Sequence, residues 1–453
     1  MRNRTLCALL VLMTACTGNN GSDDDDGTQM ERDAGVDRDG GPNVAVVYYR
    51  DVKPIIDARC NGCHAGATVA PIDFSVPMVV QRAAPTIRDQ VLSKLMPPWH
   101  ADDTCNDYKA NRSLTQDQID TIVEWIDLGA HLGDPADEGE PLDVVDTGLS
   151  RVDMRTQAPE PYTPVGTDDY RCFVIEWPGT ETQYVTGFNL EPSNLGVVHH
   201  ANIYVASGQG AQSFRDRDAN APGAGYPCFG GAFAVGVELF GAWAPGSLGI
   251  EYPAGTGLQI DPGSVIVMEM HFNTGPERQG PDQSTIAWQL ASQVERRALI
   301  APFWNFQEWS SGNMPIPAGQ ADVVHSVEVD PDGLVPLLAP WLLSNEIQIW
   351  GTGMHMHYLG TQGSIHINRP APAEDTCVIE IPRWDFNWQL GYLLEQPIDF
   401  TIGEDTLMLE CRWDNRAENQ PVIDGVRRTP RDVNWGQNSD DEMCIGYLYI
   451  TEK

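Results

Sequence analysis

The sequence predicts a multidomain protein in which a small all-α domain is followed by two all-β sandwich domains. The chain has 453 residues, more than one ordinary hydrophobic core holds. Between residues 44 and 135, two amphipathic helical patterns flank a Cys-x-x-Cys-His motif. Beyond residue 165, short apolar runs alternate with Gly and Pro, which is typical of β-sandwiches.

The first residues predict export. Two arginines precede a short apolar stretch, Leu9–Met13, as in a signal peptide. The following Met13-Thr14-Ala15-Cys16 resembles a lipoprotein cleavage site. Residues 1–16 are therefore the predicted signal peptide and Cys16 the predicted lipidation site, with a plain secretory signal as the alternative. We expect an exported protein of the bacterial cell envelope, lipid-anchored at the outer membrane or in the periplasm.

Residues 17–43 predict a disordered acidic tether. They are rich in Gly, Asn and Asp, and the block Asp23–Asp26 repels itself and extends. The whole chain carries a formal charge of −36, from 28 basic and 64 acidic residues. This charge argues against nucleic-acid binding, which needs clustered Lys and Arg.

A c-type haem site is predicted within residues 44–135. A helix that opens at Asp51-Val52-Lys53-Pro54 leads into Cys60-Asn61-Gly62-Cys63-His64. Cys-x-x-Cys-His is the attachment signature of c-type haem, in which both thiols bond the porphyrin and the histidine ligates iron. Cys60, Cys63 and His64 are the predicted haem residues, and a disulfide between the two cysteines is the alternative.

A second helix closes this unit. Thr115 and Gln118 form a capping box, and Gly129 is a typical C-terminal stop. The order helix, haem motif, loop and helix resembles a small cytochrome c domain. Met is the usual distal ligand in that family, so Met96 is preferred as the second iron ligand, with His100 as its competitor.

An acidic, Pro-rich linker is predicted over residues 136–164, followed by sandwiches over 165–298 and 299–453. The apolar runs that predict strands are Val174–Trp177, Val197–Val205, Val265–Phe272, Glu346–Met356, Leu407–Trp413 and Ile445–Ile450.

Histidines in these strands are candidate metal ligands. His355 and His357 are two residues apart, so on a strand they point to one face and can hold one metal. The thioether of Met443 is a soft third ligand that favours Cu(I). The adjacent His199 and His200 can share a metal only at a strand end or a bulge.

The second candidate set is completed by His271, in an alternating strand. Glu269 stands close to it in sequence and is expected to face solvent, with orientation of a metal ligand as the alternative. Structural zinc, or no metal, is the alternative for both sets of ligands.

Four short motifs occur in order: Val197-Val198-His199-His200, Met270-His271-Phe272-Asn273, His355-Met356-His357-Tyr358-Leu359-Gly360 and Asp441-Glu442-Met443-Cys444. In this order they resemble the copper type II, ascorbate-dependent monooxygenases, a likeness that covers about residues 165 to 453. The resemblance implies two jelly-roll-like sandwiches, each holding one copper. It also implies hydroxylation of a substrate C–H bond with O2.

The resemblance assigns roles to individual residues. His199, His200 and His271 would hold an electron-transfer copper, and His355, His357 and Met443 an oxygen-binding copper. Tyr447 matches a tyrosine that contacts substrate. Gly353 and Ile445 stand where the peptide-hydroxylating relatives carry an Arg and an Asn that hold the substrate carboxylate. A glycine-extended peptide is therefore not the expected substrate.

The cysteines suit an oxidising compartment. Six lie outside the signal, the lipidation site and the haem motif, and six allow 15 pairings. The family pattern implies the disulfides Cys172–Cys228 and Cys411–Cys444, and leaves Cys105 and Cys377 without an assigned partner.

Together these features predict an exported copper monooxygenase with two coppers and one covalent haem c that delivers electrons. Its expected partners are O2, a small-molecule or peptide substrate of unknown identity, and a reductant, either ascorbate or another redox protein. One alternative is a non-catalytic electron-transfer or copper-binding lipoprotein. The other is a carbohydrate- or protein-binding module.

Overall fold

The computed structural model describes residues 45–453 apart from 67–69, 71, 146–147, 167, 229–235, 246, 248, 275–278 and 424, and without the side chains of 336–337. Residues 45–453 form one compact unit. The predicted signal peptide, the lipidation site Cys16 and the tether lie outside the described residues.

Helices are concentrated in the N-terminal part of this unit. They are α1 (Lys53–Arg59), α2 (Asn61–His64), α3 (Pro77–Leu92), α4 (Gln116–Asp127), α5 (Gly208–Asn220), α6 (Phe306–Trp309) and α7 (Val335–Leu338). A π-helical turn, Tyr48–Val52, precedes α1, and 3-10 turns cover Pro135–Asp137, Pro331–Gly333 and Ala417–Asn419. Among the helices that the structure describes, none combines the length and apolar character needed to cross a membrane.

The capping box predicted for α4 is confirmed. The Thr115 hydroxyl accepts a hydrogen bond from the Gln118 amide at 3.2 Å, and the Gln118 side chain accepts one from the Thr115 amide at 3.1 Å. The helix buries Ile119, Ile122 and Trp125 against the π-helical turn and α3. These helices share a separate hydrophobic core. Residues 45–135, which contain it, are called the helical unit below.

The sequence prediction of a loop between the haem motif and α4 is wrong over Pro77–Leu92, which forms the 16-residue helix α3. Pro77 occupies its first position, where a proline costs no hydrogen bond. Pro85 lies inside the helix, and two prolines in one stretch indicate a loop when the sequence is taken alone. Buried side chains at helical spacing, such as Val80, Ala84 and Val91, stabilise the helix despite Pro85.

The rest of the chain is mostly strands. They are β1 (Met154–Gln157), β2 (Asp168–Glu176), β3 (Gln183–Glu191), β4 (Val198–Ala206), β5 (Tyr226–Pro227), β6 (Val237–Trp243), β7 (Ile250–Glu251), β8 (Thr256–Ile260), β9 (Val265–Asn273), β10 (Thr285–Ala291), β11 (Arg296–Phe303), β12 (Val323–Val329), β13 (Glu346–His355), β14 (Gly360–Asn368), β15 (Thr376–Ile381), β16 (Gly391–Thr401), β17 (Thr406–Trp413), β18 (Val422–Ile423), β19 (Val426–Arg427) and β20 (Ile445–Glu452). Each apolar run that predicts a strand lies in one of them or extends past its end by a single residue.

The strands enclose two hydrophobic cores. One core is built from residues 158–298 together with Tyr449, and the other mainly from residues 299–450. A long sheet runs in the order β1-β10-β3-β8-β11-β6-β4-β9-β2-β5, while β20 pairs with β11 and β13. A second sheet has the order β12-β17-β14-β15. The β-sandwich character predicted for this part of the chain is confirmed.

Strand β11 joins the two cores. It pairs with β6 and β8 on the side of the first core and with β20 on the side of the second. The boundary expected between residues 298 and 299 therefore falls inside a continuous strand.

The linker expected over residues 136–164 contains a strand. Met154–Gln157 forms β1 and pairs with β10 from Met154↔Trp288 to Gln157↔Thr285. The polar sequence of this strand has no apolar run, and the prolines that follow it favour a loop, so local pattern missed it.

Three disulfides are present. Cys172–Cys228 and Cys411–Cys444 confirm the implied pairings. The third, Cys105–Cys377, joins the helical unit to the second core. Disulfides are consistent with an extracellular or periplasmic protein.

Candidate metal centres

A cavity of about 1140 Å³ is lined by three of the histidines that the sequence singles out, together with the predicted methionine ligand. Its walls include His200, His355, His357, Met443 and Tyr447. Below, the first cluster is His199, His200 and His271, and the second cluster is His355, His357 and Met443.

The first cluster is built by two neighbouring strands. His200 on β4 lies opposite His271 on β9, and the pairing shifts register between Val198 and His200. This irregularity lets two adjacent imidazoles face one point. The Nδ1 of His200 lies 3.0 Å from Nδ1 of His199 and 3.4 Å from Nδ1 of His271. The three potential ligand atoms lie within 4.8 Å of one another.

Outer contacts orient His271. Its Nε2 lies 3.0 Å from the Asp168 carboxylate, and its ring stacks on Tyr170 at 4.1 Å. A carboxylate accepts hydrogen bonds, so Nε2 carries the proton and Nδ1 presents its lone pair to His200. Burial lowers the pKa of His200 well below its ordinary value, with the neighbouring histidines acting in the same direction. The His200 imidazole is therefore available as a neutral metal ligand.

The second cluster forms where β13 ends. Met354 and Met356 point into the second core, and the alternate positions His355 and His357 face the cavity. Their Nε2 atoms lie 3.2 Å apart. Burial lowers the pKa of His355 to about 4 and that of His357 well below its ordinary value.

The tautomers of this pair follow from their partners. His355 Nδ1 lies 2.5 Å from Gln389 Oε1, and the Gln389 amide nitrogen donates to the Phe386 carbonyl, which fixes the amide orientation. His357 Nδ1 lies 3.2 Å from the Asp441 carbonyl. Both Nδ1 atoms therefore donate, and two Nε2 lone pairs face each other. Such an arrangement is repulsive without a cation between them, so the donor set fits a metal.

Glu442 holds the turn that carries His357. Its carboxylate is fully buried and accepts hydrogen bonds from the amides of His357 and Leu359 at 2.9 and 2.7 Å, and from the Trp413 indole at 2.9 Å. Burial raises the pKa of Glu442 to about 7, although these donors act in the opposite direction. One side chain thus holds the backbone at both His357 and Leu359, in the turn that follows β13.

Tyr447 reaches the cavity from the neighbouring strand β20, and Met443 from the segment just before it. The register of β13 with β20 pairs His355 with Ile445 and Gly353 with Tyr447. Met443 is 8% exposed, and its neighbour Cys444 is bonded to Cys411 on β17. The thioether therefore lines the same cavity as the two imidazoles, on a segment that a disulfide holds.

The two clusters meet across Phe386. Its ring stacks on His199 at 4.8 Å and lies 6.3 Å from His357. Residues of both clusters thus open into a single cavity with one aromatic side chain between them.

Comparison with protein families matches this architecture. Residues 154–279 match the family model for the copper type II ascorbate-dependent monooxygenase, N-terminal domain, and residues 313–452 match that for its C-terminal domain. The chain carries both domains of the copper type II ascorbate-dependent monooxygenase family. The first cluster lies within the N-terminal match and the second within the C-terminal match. The family is copper-dependent, which fits the donor sets of both clusters.

No curated protein matches the chain. Among solved structures, the chain is similar to the major capsid protein P2 from bacteriophage PM2, with 9% identity, a TM-score of 0.25 and coverage of 66% of this chain and 97% of that one. It is also similar to the broad bean stain virus structure, with 9% identity, a TM-score of 0.25 and coverage of 69% and 93%. A TM-score this low does not establish a shared fold.

The prediction that Glu269 faces solvent is wrong. Glu269 is 5% exposed, accepts a hydrogen bond from Asn202 at 3.1 Å and lines the cavity of the monooxygenase domains. Strand alternation places both residues on the face that carries His200 and His271, because each is two positions from one of these histidines. The two-residue spacing between Glu269 and His271 therefore already indicates that both side chains face the same side of the strand.

The haem-motif residues lie in the helical unit. Cys60 and Cys63 are not joined in a disulfide. His64 Nδ1 lies 2.9 Å from the Ile72 carbonyl, so it donates and leaves the Nε2 lone pair for a metal. The ring stacks on Phe74 at 4.2 Å, which fixes its orientation. Two thiols and an oriented imidazole are the donor set that a covalent haem requires.

The structure keeps the two candidates for the distal ligand in different surroundings. Met96 is half-buried after α3. His100 is buried, and no described residue hydrogen-bonds to its Nε2. Burial lowers the pKa of His100, as does Arg383 of the second core. His100 is thus packed at the junction between the helical unit and the second core.

Sequence reasoning missed the residues that orient the ligands. Asp168 hydrogen-bonds to His271, which lies 103 positions away in sequence, and Gln389 to His355, 34 positions away. Phe386 contacts both clusters. Nothing in the local sequence distinguishes these side chains from other polar or aromatic residues. Glu442 is part of a recognised motif, but its role as a buried anchor depends on the packing of Trp413 and the histidine turn.

Proposed function

We propose that the protein is an exported, copper-dependent monooxygenase that hydroxylates a C–H bond of an unidentified substrate with O2. The observation that carries this proposal is the presence of two imidazole clusters that both contribute ligand side chains to one cavity. The first cluster would hold one copper and the second cluster another. Bound copper would supply one-electron redox chemistry at the first cluster and, through an open position, reaction with O2 at the second.

The ligand chemistry supports this division. Three imidazoles suit both copper oxidation states, which favours electron relay at the first cluster. Two imidazoles and the thioether of Met443 form a weaker set that leaves room for a further ligand. Gln389 and the Asp441 carbonyl hold the imidazoles of the second cluster in the orientation that binding requires.

The substrate side of the cavity differs from the peptide-hydroxylating relatives. Gly353 has no side chain, and a Cβ there would meet only the Leu390 carbonyl at 3.5 Å and Gly391 at 3.8 Å. Ile445 is apolar. The cavity therefore has space beside His355 and an apolar contact where those relatives bind a carboxylate. Tyr447 is placed to contact a substrate bound there.

We further propose that the helical unit is a cytochrome c-like domain whose haem is bonded to Cys60 and Cys63 and ligated by His64. A haem on the same chain would provide a high effective concentration of reductant. Ascorbate, or a separate redox protein, would then supply electrons to the haem or to the copper sites. Export and a lipid anchor at Cys16 are parts of the same proposal.

Metal content tests the proposal. We would express residues 17–453 with haem maturation, load the protein with copper, remove the excess and quantify copper, zinc and iron per chain. We expect two coppers and one haem iron, with one copper lost in Met443→Ala and in His355→Ala. His131→Ala is the matched control, because His131 is exposed and outside both clusters. Absence of tightly held copper, or preference for zinc, would overturn the copper proposal.

A non-catalytic electron-transfer protein is the second candidate, and the missing carboxylate clamp at Gly353 and Ile445 favours it. Substrate-dependent O2 uptake distinguishes the two. An enzyme shows uptake that Met443→Ala abolishes, whereas an electron-transfer protein with both coppers bound oxidises its haem without such uptake.

A further inference from the structure

We propose that the packed side chains Trp99 and Tyr392 are the electron-transfer link from the haem motif to the second cluster. Electrons from the haem then reach the second cluster without passing through the first. This inference rests on the proposed binding of haem and copper.

The segment that carries Trp99 is fixed to the second core. The Asp102 amide donates to the Glu380 carbonyl at 2.8 Å, and the Glu395 amide donates to the Asp107 carbonyl at 3.0 Å. The disulfide Cys105–Cys377 bonds the segment covalently to β15. The helical unit is thereby held against the sandwich that contains the second cluster.

An aromatic contact lies at this junction. The Trp99 ring meets the Tyr392 ring edge-on, with centroids 5.0 Å apart, and Tyr108 packs on Tyr392 at 5.5 Å. Tyr392 is only 2% exposed, and the backbone amides of His100 and Ala101 face its hydroxyl. The π-systems are therefore in direct contact, which suits electron transfer over short distances.

The haem end of the link is marked by Arg112. Its guanidinium interacts electrostatically with the Cys63 thiol on one side and with Tyr392 on the other. A guanidinium also suits the propionate carboxylates of a haem bonded at Cys63. Trp99 lies next to His100 and three residues after Met96, the two candidates for the distal haem ligand. The aromatic contact is thus part of the segment that is expected to reach the haem.

The other end of the link leads to His355. Tyr392 on β16 pairs with Thr352 on β13, the strand that ends at His355. Three residues before Tyr392, Gln389 bonds to His355 Nδ1. Trp99, Arg112, Tyr392, Gln389 and His355 line the same cavity. The aromatic contact is therefore connected to the second cluster through β16, the Gln389 hydrogen bond and the shared cavity.

The step is a one-electron transfer. Ferrous haem is oxidised to ferric haem, and one cupric ion held by the second cluster is reduced to cuprous. No bond to carbon or hydrogen is made or broken, and Trp99 and Tyr392 are unchanged at the end.

The test is flash photoreduction of the haem in the copper-loaded, haem-loaded full chain without O2, followed by haem reoxidation at its absorption bands. We expect fast reoxidation to persist in His199→Ala, which keeps copper at the second cluster only. We expect it to be lost in His355→Ala, which keeps copper at the first cluster only. The opposite pattern would overturn the route.

Variants of the link sharpen the test. Trp99→Leu should slow reoxidation severalfold with metal content and haem spectrum unchanged, whereas Trp99→Phe, which keeps an aromatic ring, should retain most of the rate. Trp341→Leu is the matched control, because Trp341 packs on the same core but outside the cavity lining. A normal rate in Trp99→Leu would also overturn the route. Absence of covalent haem or of copper would instead overturn the proposed function, and this inference with it.

Discussion

The two histidine clusters reach similar ligand arrangements by different means. In the first, the ligands lie on the adjacent strands β4 and β9, and their meeting follows from the register His200↔His271 and one irregularity. In the second, His357 lies beyond the end of β13, and Met443 lies before the start of β20. The second cluster therefore depends on loop residues that other parts of the fold must hold.

This difference has an energetic consequence. Backbone hydrogen bonds of a sheet preorganise the first cluster, whereas the second needs the buried Glu442 and the disulfide Cys411–Cys444. Changes remote from the metal ligands should therefore damage the second cluster more than the first. The predictions that follow test this asymmetry.

The largest effect is expected from removing the disulfide of the second cluster. Cys411→Ala with Cys444→Ala opens a loop with a sequence separation of 33 residues, and loss of the cross-link should lower the free energy of unfolding by about 4 kcal/mol. Denaturant unfolding and copper content measure the result. Copper should be lost from the second cluster and retained at the first.

The matched control is Cys172→Ala with Cys228→Ala, whose sequence separation is 56 residues. It should lower stability by a similar amount, about 4 kcal/mol, but spare the second cluster. Equal loss of both coppers in either double variant would contradict the asymmetry.

Glu442→Ala should follow in size. The substitution leaves two backbone amides and one indole without their buried acceptor, which should cost roughly 3 kcal/mol or more. Thermal unfolding and copper retention report the effect, with exposed Glu418→Ala as the control. A Glu442→Ala protein with unchanged melting temperature and both coppers would show that the turn is held by other contacts.

Smaller effects are expected when the residues that hydrogen-bond to the metal ligands are replaced, and these variants compare the two clusters directly. Asp168→Ala removes the acceptor of His271, and Gln389→Ala removes that of His355. Each should weaken copper binding about 10- to 100-fold, and only at its own cluster. Competition titrations with a copper chelator measure both affinities, and each variant is the control for the other. Loss of affinity at the distant cluster would indicate that the clusters are coupled.

The smallest effect is expected at Phe386, whose ring contacts a histidine of each cluster. Phe386→Ala removes the ring contacts to His199 and His357, worth about 1 kcal/mol. The copper signals of both clusters should shift in electron paramagnetic resonance spectra with little loss of metal. A shift confined to one cluster would show that the ring supports that cluster alone.

The sequence by itself determined the local parts of this protein. Short apolar runs separated by Gly and Pro predict the strands. Side chains on a strand point alternately to two faces, which places His355 and His357 together. The capping box at Thr115 depends on residues within one helical turn, so it too was readable. The order of four motifs was enough to indicate the family and two of the disulfides.

Only the tertiary structure decided how these parts are held and connected. The partners of His271 and His355, the burial of Glu442 and the disulfide Cys105–Cys377, across 272 residues, join segments far apart in sequence. Such contacts depend on which faces of the sheets pack together, and that choice is set by the burial of the two cores as a whole. Local pattern fixes the direction of a side chain, but packing decides what it meets.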